Sequence, residues 1–303
     1  MKNPYDYINQ NPERCQRMFG IPYQEFNDLI TVILRDQAVH QSQISTAKIR
    51  INAPGGGCPP KLSEAEEVSL CLLYLRQHPT FEMLGLHYGV CESTAHDIYH
   101  RWVQRLRQQL PSSWLEEVAD KPEQLELLQT ILAEQELLVD STEQSRERPK
   151  DNEVQRTYYS GKKKQHTFKN QIISLATGHD IVDVLVGVPG PRSDQSLLRE
   201  QQANLSEDQV YGGDKGYQGV TRTHTPMKKP RQQDLSAEQK QANKEFSQSR
   251  IYIEHLIRVV KIWRIAQERF RLSGRHYETA ILVVCGLVRV RLGRYELRHL
   301  IQS

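Results

Sequence analysis

Glu136-Leu137-Leu138-Val139-Asp140 is an apolar run closed by an acid, and it marks where the chain changes from helical to strand patterning. Downstream, His166 to Ala176 carries Phe168, Ile172, Ile173 and Leu175 and reads as a second strand. Thr177-Gly178-His179-Asp180 is a turn, and Ile181 to Val188, rich in Val and Ile, is a third strand stopped by Pro189-Gly190-Pro191. Ser193 or Asp194 then caps a helix through Leu197, Leu198 and Glu200. Gln209-Val210-Tyr211-Gly212-Gly213-Asp214 is a fourth strand, again closed by an acid, and Thr223–Met227 is a candidate fifth. A long helix follows from about Ser236, with Asn243 as a candidate break.

Three strands joined by turns, then helix, strand, helix, strand and helix, is the order of a ribonuclease-H-like mixed sheet, an α+β (mixed α/β) fold. In that order the first strand is central and the fourth lies beside it. Asp140 and Asp214 are then expected side by side, with the long helix packed across the sheet.

That helix carries a third acid. At about 100° per residue, taking Arg250 as zero, Glu254 falls near 40° and Lys261 near 20°. Ile253, Leu256, Val259, Val260 and Trp263 fall at roughly 180–300° and are expected to face the core. The stripe fits a carboxylate holding a metal between two phosphate-binding cations. It also fits ordinary surface ion pairs, Arg250–Glu254 and Glu254–Arg258.

Composition narrows the classes. With 38% apolar and 25% charged residues in 303, the chain is expected to be globular, with room for two domains. No signal peptide is read at Met1-Lys2-Asn3-Pro4, and the longest apolar patch, Ala280 to Val288, is too short to span a membrane. Cys15, Cys58, Cys71, Cys91 and Cys285 form no CxxC pair, which argues against structural zinc and fits a reducing cytoplasm. The net charge of +3 says little, but its distribution says more. Between Arg250 and Arg275 seven Lys or Arg face two acids, a local +5, and Lys162-Lys163-Lys164 is a second basic cluster.

The N-terminal half reads as all helical. Residues 1–52 form a helical segment with Phe26, Leu29, Ile30, Ile33 and Leu34 in register, and residues 53–61, rich in Gly and Pro, read as a linker. Residues 62–133 hold three helices and a connecting helix. Ser63 and Glu66 make a capping box. Gly89-Val90 is a turn, and Ser93 or Glu92 opens a helix bearing Ile98, Trp102, Val103 and Leu106 with Arg101, Arg105 and Arg107 alongside. Short helix, glycine turn, longer helix is the outline of a helix-turn-helix that would place Arg101 and Arg105 near DNA. A plain helical bundle explains the same pattern. Residues 134–303 form the sheet domain and a C-terminal helical tail.

Asp140, Asp214 and Glu254 are the candidate metal ligands and catalytic residues. Phosphodiester cleavage needs an activated oxygen, a shielded phosphate and a stabilised leaving oxygen, which a pair of divalent cations supplies. Magnesium prefers oxygen ligands, few of them from protein. Asp183 is set aside as a strand residue facing solvent, Asp194 as a cap, and Glu143 as a weaker rival. The polar stretch Glu143 to Gly161 reads as a mobile loop.

With these residues in place, the sequence resembles the DDE transposases of bacterial insertion sequences, most closely the insertion-sequence-5 group and its Harbinger-like relatives. The segments that carry the likeness are Val139-Asp140-Ser141-Thr142, Tyr159-Ser160-Gly161-Lys162-Lys163-Lys164 and Gly213-Asp214-Lys215-Gly216-Tyr217-Gln218-Gly219. Two more are Thr225-Pro226-Met227-Lys228-Lys229-Pro230 and Arg250-x3-Glu254-x6-Lys261. The last matches the family signature Tyr-x2-Arg-x3-Glu-x6-Lys at three of four places; Ser247 stands where the tyrosine belongs, with Phe246 beside it. The resemblance covers roughly residues 60–275. It implies an Asp140–Asp214–Glu254 triad holding two Mg²⁺ ions (Mn²⁺ substituting) and binding of terminal inverted repeats and target DNA by a homodimer or higher oligomer. It implies DNA contacts at Lys162, Lys163, Lys164, Lys228, Lys229, Arg250, Arg258 and Lys261. The expected activity is transposition. The alternatives are a domesticated DNA-binding regulator or a nuclease of the same fold.

Overall fold

The computed structural model describes residues 3–47, 59–229 and 234–297. Most of the expected linker, residues 53–58, lies outside them, as does Pro230. The chain divides into two compact units, one running to Leu110 and taking in the chain from Tyr295, the other spanning Pro111–Arg294.

The first unit is helical. Its elements are α1 (Pro4–Gln10), α2 (Cys15–Phe19), α3 (Tyr23–Ala47), α4 (Glu64–Gln77), α5 (Phe81–Tyr88) and α6 (Glu92–Gln109). Helices α1, α2 and α3 all pack on α4, so the described part of the expected 1–52 segment, residues 3–47, is one unit with the helices that follow. The reason is α4 itself, which is buried from Glu67 through Leu75 on nearly every side and needs neighbours all round. Ser63 caps α4, with the reciprocal Glu66 bond of a capping box. Gly89 ends α5 at φ +68°, where a Cβ would be strained, and Cys91, not Ser93 or Glu92, is the N-cap of α6. Helices α5 and α6 pack on each other across that turn.

The second unit is built on a six-stranded mixed sheet. Ahead of it come α7 (Trp114–Glu117) and α8 (Pro122–Ala133). Sequence order groups residues 112–133 with the preceding helices, but Leu115, Val118, Leu128 and Leu132 join the core under the sheet. The strands are β1 (Glu136–Ser145), β2 (Tyr159–Ser160), β3 (Gln165–Leu175), β4 (Ile181–Pro189), β5 (Val210–Gly212) and β6 (Thr223–His224). Helix α9 (Asn152–Tyr158) lies between β1 and β2, and α10 (Asp194–Gln202) between β4 and β5. Helices α11 (Ala237–Lys261), α12 (Arg264–Gln267) and α13 (Tyr277–Arg291) complete the unit.

Strand β3 pairs antiparallel with β1 on one edge and with β4 on the other, while β1–β5 and β5–β6 are parallel. Counting β1, β3, β4, β5 and β6 as one to five, their order is 3-2-1-4-5 with the second strand antiparallel. That is the ribonuclease-H-like order expected, with the first strand central. Strand β1 runs five residues past Asp140, through Ser141-Thr142-Glu143-Gln144-Ser145. Polarity hides this extension: Gln144 is 3% exposed and donates to the carbonyls of Ile265 and Glu268 at 2.6 and 2.7 Å. A buried amide so satisfied stands as well in a strand as an apolar side chain. The stretch from Glu143 to Gly161 is correspondingly ordered, with α9 and β2 inside it.

Alternation along β1 separates two faces. Leu137 and Val139 join Ile173, Val182, Leu198 and Tyr211 in the core against α8 and α10. Leu138, Asp140 and Gln144 fall on the opposite face by the same alternation, and α11 packs against β1. Each fully buried side chain of this kind contributes about 1.5–3 kcal/mol relative to exposure. Helix α13 includes the apolar patch seen in the sequence and is buried almost all round. Among the described residues no helix is long and apolar enough to cross a membrane.

Candidate active site

The first two acids are aligned by strand register. Strands β1 and β5 pair as Glu136 with Val210, Leu137 with Tyr211 and Leu138 with Gly212. Carried two residues further, the same parallel register sets Asp140 level with Asp214, just beyond the last paired residue. Asp214 caps the 3₁₀ turn Lys215–Tyr217, its Oδ1 accepting from the Gly216 amide at 2.7 Å. Tyr217 folds back beneath that turn. A Cβ on Gly213 would stand 2.7 Å from the Tyr217 ring, so only glycine lets the chain pass there.

Helix α11 supplies the third acid. It is capped at Ser236 by a capping box with Gln239 and runs unbroken through Asn243, whose side chain instead holds the backbone of Met227 at 2.8 and 3.1 Å. Its buried residues are Ile253, Leu256, Ile257 and Val260. Ile257 falls near 340° on the wheel, which moves the buried face toward Arg250. Trp263 is buried as well, just past the helix. The acid–cation stripe therefore lies along the flank of the packed face rather than opposite it. Arg250 accordingly has a side chain only 13% exposed, while Glu254 is exposed.

Arg250 does not pair with Glu254. Its Nη2 lies 3.8 Å from Asp140 Oδ2, and its Nε is a buried donor without a hydrogen-bond partner. Among the described residues neither Arg250–Glu254 nor Glu254–Arg258 forms an ion pair. Asp140 is pushed up to about 6, mainly by burial; the Ser141 amide and Arg250 oppose the shift, and Asp214 and Glu254 add to it. Glu254 and Asp214 are thus both close enough for Asp140 to feel their charge. Lys261 is half-buried and held below its ordinary value, first by burial and then by Lys163, with Asp140 acting the other way. The structure so brings Asp140, Asp214, Glu254, Arg250, Lys261 and Lys163 to one neighbourhood.

The chemistry of these donors fits a hard divalent cation: every candidate ligand is a carboxylate oxygen, and Asp140 carries charge its surroundings do not neutralise. Among the described residues, no three Asp, Glu, His or Cys side chains stand in an arrangement that holds a metal ion as they are.

The other expected DNA contacts are placed unevenly. Lys162, Lys163 and Lys164 form the exposed turn between β2 and β3. Lys228 is exposed, while Lys229 pairs with Asp234 at 2.5 Å. Arg258 is exposed on α11. Arg101 and Arg105 have partners inside the helical unit: Arg101 donates to Glu67 at 2.5 Å, and Arg105 bonds Gln37 and stacks on Trp102 at 4.8 Å. Glu92, Ser93, Thr94, His96 and Asp97 are the exposed residues at the start of α6.

Residues 139–289 match the family described as DDE superfamily endonuclease, and residues 60–112 match the helix-turn-helix of DDE superfamily endonuclease. A probable transposase for insertion sequence element IS702, from Microchaete diplosiphon, is 30% identical over 283 residues, covering 92% of this chain and 94% of that protein. The chain belongs to the DDE-superfamily transposases of insertion sequences. It is thus an enzyme of the DNA-cleaving class, with a helix-turn-helix in its first unit, and enzymes of this superfamily use divalent metal ions. Solved structures that overlap it include a pre-cleavage Mos1 transpososome (12% identity, TM-score 0.19, 74% of this chain and 84% of that one). The Mos1 strand transfer complex overlaps at 12% identity and TM-score 0.21, over 76% and 85%. Nothing in the assignment rests on so slight an overlap.

Sequence reasoning misassigned two acids of the transposase, Asp194 and Asp183. Asp194 is not the cap of α10; Ser193 is. Asp194 Oδ1 accepts from Ser141 Oγ at 2.7 Å and from Lys169 Nζ at 3.0 Å. Ser141 in turn donates its amide to Asp140 Oδ1 at 2.8 Å, and Gly216 approaches Asp194 closely from the Asp214 turn. The available signal was Lys169, a lysine in the middle of an apolar strand. Asp183, expected to face solvent, is 9% exposed and accepts from Gln201 at 2.9 Å and Asn204 at 3.3 Å. Glu143 accepts from Thr167 at 2.8 Å and plays a structural part.

Proposed function

We propose that this transposase binds the terminal inverted repeats of its own insertion sequence, cuts at the element ends with Mg²⁺, and joins the freed 3′-hydroxyl to target DNA. The observation that carries this reading is the register that sets Asp140 level with Asp214 beside an acid-bearing helix. Asp140, Asp214 and Glu254 are the metal-holding residues; the exposed Glu254 side chain has the freedom to complete the set. Divalent cations bound there would activate the attacking oxygen and stabilise the leaving one. Mn²⁺ substitutes for Mg²⁺ because both accept oxygen ligands.

The surrounding residues position the DNA. The Arg250 Nε hydrogen, buried without a partner, is a donor for a phosphate oxygen next to the carboxylates. Lys261 and Lys163 offset the charge of the strand at that point, and Arg258, Lys162, Lys164, Lys228 and Lys229 extend the basic track. The exposed start of α6 is the base-reading element, with Ser93, Thr94 and His96 reaching the major groove. Arg101 and Arg105, held from inside the helical unit, present their remaining guanidinium edges to backbone phosphates. Two copies of the chain bring two ends together.

The test is a strand-transfer assay with pre-cut ends bearing the inverted repeats that flank the gene. Asp140→Ala, Asp214→Ala and Glu254→Ala each abolish transfer and leave end binding largely intact. Full transfer in any one of them would remove that residue from the site.

A further inference from the structure

Beyond Ser145, the chain that leaves β1 enters a basic cavity that no assignment above uses. It has a volume of about 330 Å³ and is lined by Arg146, Arg148, Lys150, Phe168, Arg271 and Gly274, among others. The lining acid, Glu147, is paired with Arg269. The cavity therefore offers four cations against one acid that already has a partner.

Its geometry is built rather than incidental. The Arg146 guanidinium lies 4.1 Å from the Tyr158 ring centre and 4.3 Å from that of Phe168, so two aromatic faces fix it in place. The Arg146 backbone is held by the His166 carbonyl at 3.0 Å and bridges to Phe270. Arg148 Nε donates to Gln155 on α9 at 2.9 Å, which aims its remaining donors. Arg148 and Lys150 are exposed. The neighbouring His166 is held below its ordinary value by burial and then by Arg148 and Arg146. Fixed guanidiniums that have lost their mobility beforehand bind a phosphate with less ordering cost.

The cavity also lies where the strand that carries Asp140 ends. Arg146 lies six residues on from Asp140, just past the end of β1, a span of about 20 Å at ~3.3 Å per residue. A duplex rises about 3.4 Å per base pair, so a duplex lying along β1 would reach the cavity about six base pairs from a phosphate at Asp140.

We propose that this cavity is a phosphate clamp that grips the backbone of the bound duplex about six base pairs from the cut; the distance to the cut rests on the active site proposed above. The shared ligand chemistry is a phosphate oxyanion, and DNA is its source.

The test is equilibrium binding of the full chain to a 30-base-pair duplex across a salt series, compared with Arg148→Gln/Lys150→Gln. Each lost phosphate contact removes about 0.9 from the slope of log affinity against log salt, so the double variant is expected to lose about 1.8. Lys150→Gln alone, at an exposed side chain, is expected to lose about half of that and to melt like the wild type. Wild-type slopes in both variants would overturn the clamp. So would inorganic phosphate raising the melting point of the wild type but not of the double variant while the DNA slopes stay equal, since the cavity would then serve a free anion. Cleavage lost in Asp140→Ala with slopes unchanged in the cavity variants removes the clamp and leaves the active-site reading standing.

Discussion

Arg250 stands 3.8 Å from Asp140, Nη2 to Oδ2, so the cation that helical spacing offers to Glu254 is engaged by the strand acid instead. One guanidinium is not enough: Asp140, ordinarily near 3.8, is still pushed up to about 6, chiefly by burial. A carboxyl whose folded value lies above its unfolded one favours folding in its protonated form. That contribution is fully present below about pH 3.8 and is lost as pH rises through about 6. Asp140→Asn, neutral at every pH, keeps it. The variant should therefore be more stable than the wild type at pH 8 without metal, by up to about 3 kcal/mol, and match it near pH 3.5. Urea unfolding at the two pH values in chelator checks this, and an equal midpoint at pH 8 would mean that Asp140 carries no such strain. Added Mg²⁺ should raise the wild type and not the variant.

The brace beneath Asp140 predicts a different kinetic signature. Asp194 holds Ser141 and Lys169 with both ion-pair partners largely buried, 25% and 8% exposed. Asp194→Asn leaves the fold's packing intact but loosens the Ser141 amide that orients Asp140. Partners of this kind change metal affinity or rate by about 10–100-fold. The expected result is a fall in cleavage rate of that size, a higher Mg²⁺ requirement and unchanged DNA affinity. Lys169→Met combined with it should add little, because both act on one carboxylate; fully additive losses would show that Asp194 works elsewhere.

Gly213 is a steric prediction. With the Tyr217 ring 2.7 Å from where a Cβ would stand, Gly213→Ala must move either the ring or the turn that presents Asp214. Overpacking of this kind costs about 1–3 kcal/mol, and the displaced carboxylate should lower cleavage more than the stability loss explains. Wild-type cleavage in a stable Gly213→Ala would show that the Asp214 turn tolerates displacement.

How much of this was legible beforehand follows from which forces leave a mark in one sequence. The strands β3 and β4 show because their apolar residues are dense, and the alignment of Asp140 with Asp214 follows once the first strand is placed centrally. The far half of β1 does not show, because Ser141 and Gln144 are satisfied by hydrogen bonds to Asp194 and to the Ile265 and Glu268 carbonyls, which lie far away in sequence. The same holds for Asp183, whose partners Gln201 and Asn204 arrive on α10 and the turn after it. Helical periodicity placed Glu254 beside Arg250 but carried no information about which neighbouring strand competes for the arginine. The joining of residues 112–133 to the second unit was also hidden, since an amphipathic helix shows that it packs, not on what.

A buried ion cluster hidden in the same way lies inside the second unit. Arg289 is 1% exposed and bonds Asp180 at 2.8 Å, Glu117 at 2.7 Å and the Ser113 carbonyl at 3.1 Å. It ties α7 and α13 to the turn between β3 and β4. Removing one member of such a cluster leaves buried charge uncompensated and costs about 3–5 kcal/mol. Arg289→Ala should lower the unfolding free energy by that amount in urea melts, and a change below about 1 kcal/mol would show that water reaches the cluster freely.

Lys261 is where the proposed DNA track would meet the acids. It is half-buried, its charge disfavoured by burial and by Lys163 and favoured by Asp140. A bound phosphate would relieve the repulsion between the two lysines, so both are expected to contact the same strand. Lys261→Ala should reduce the salt slope of DNA binding by about 0.9, and Lys163→Gln with Lys261→Ala by about 1.8. The loss should appear equally on cognate ends and on unrelated duplex, because phosphates carry no sequence. If instead Lys261→Ala left the slope unchanged and lowered only the cleavage rate, its charge would act on Asp140 and not on the DNA backbone.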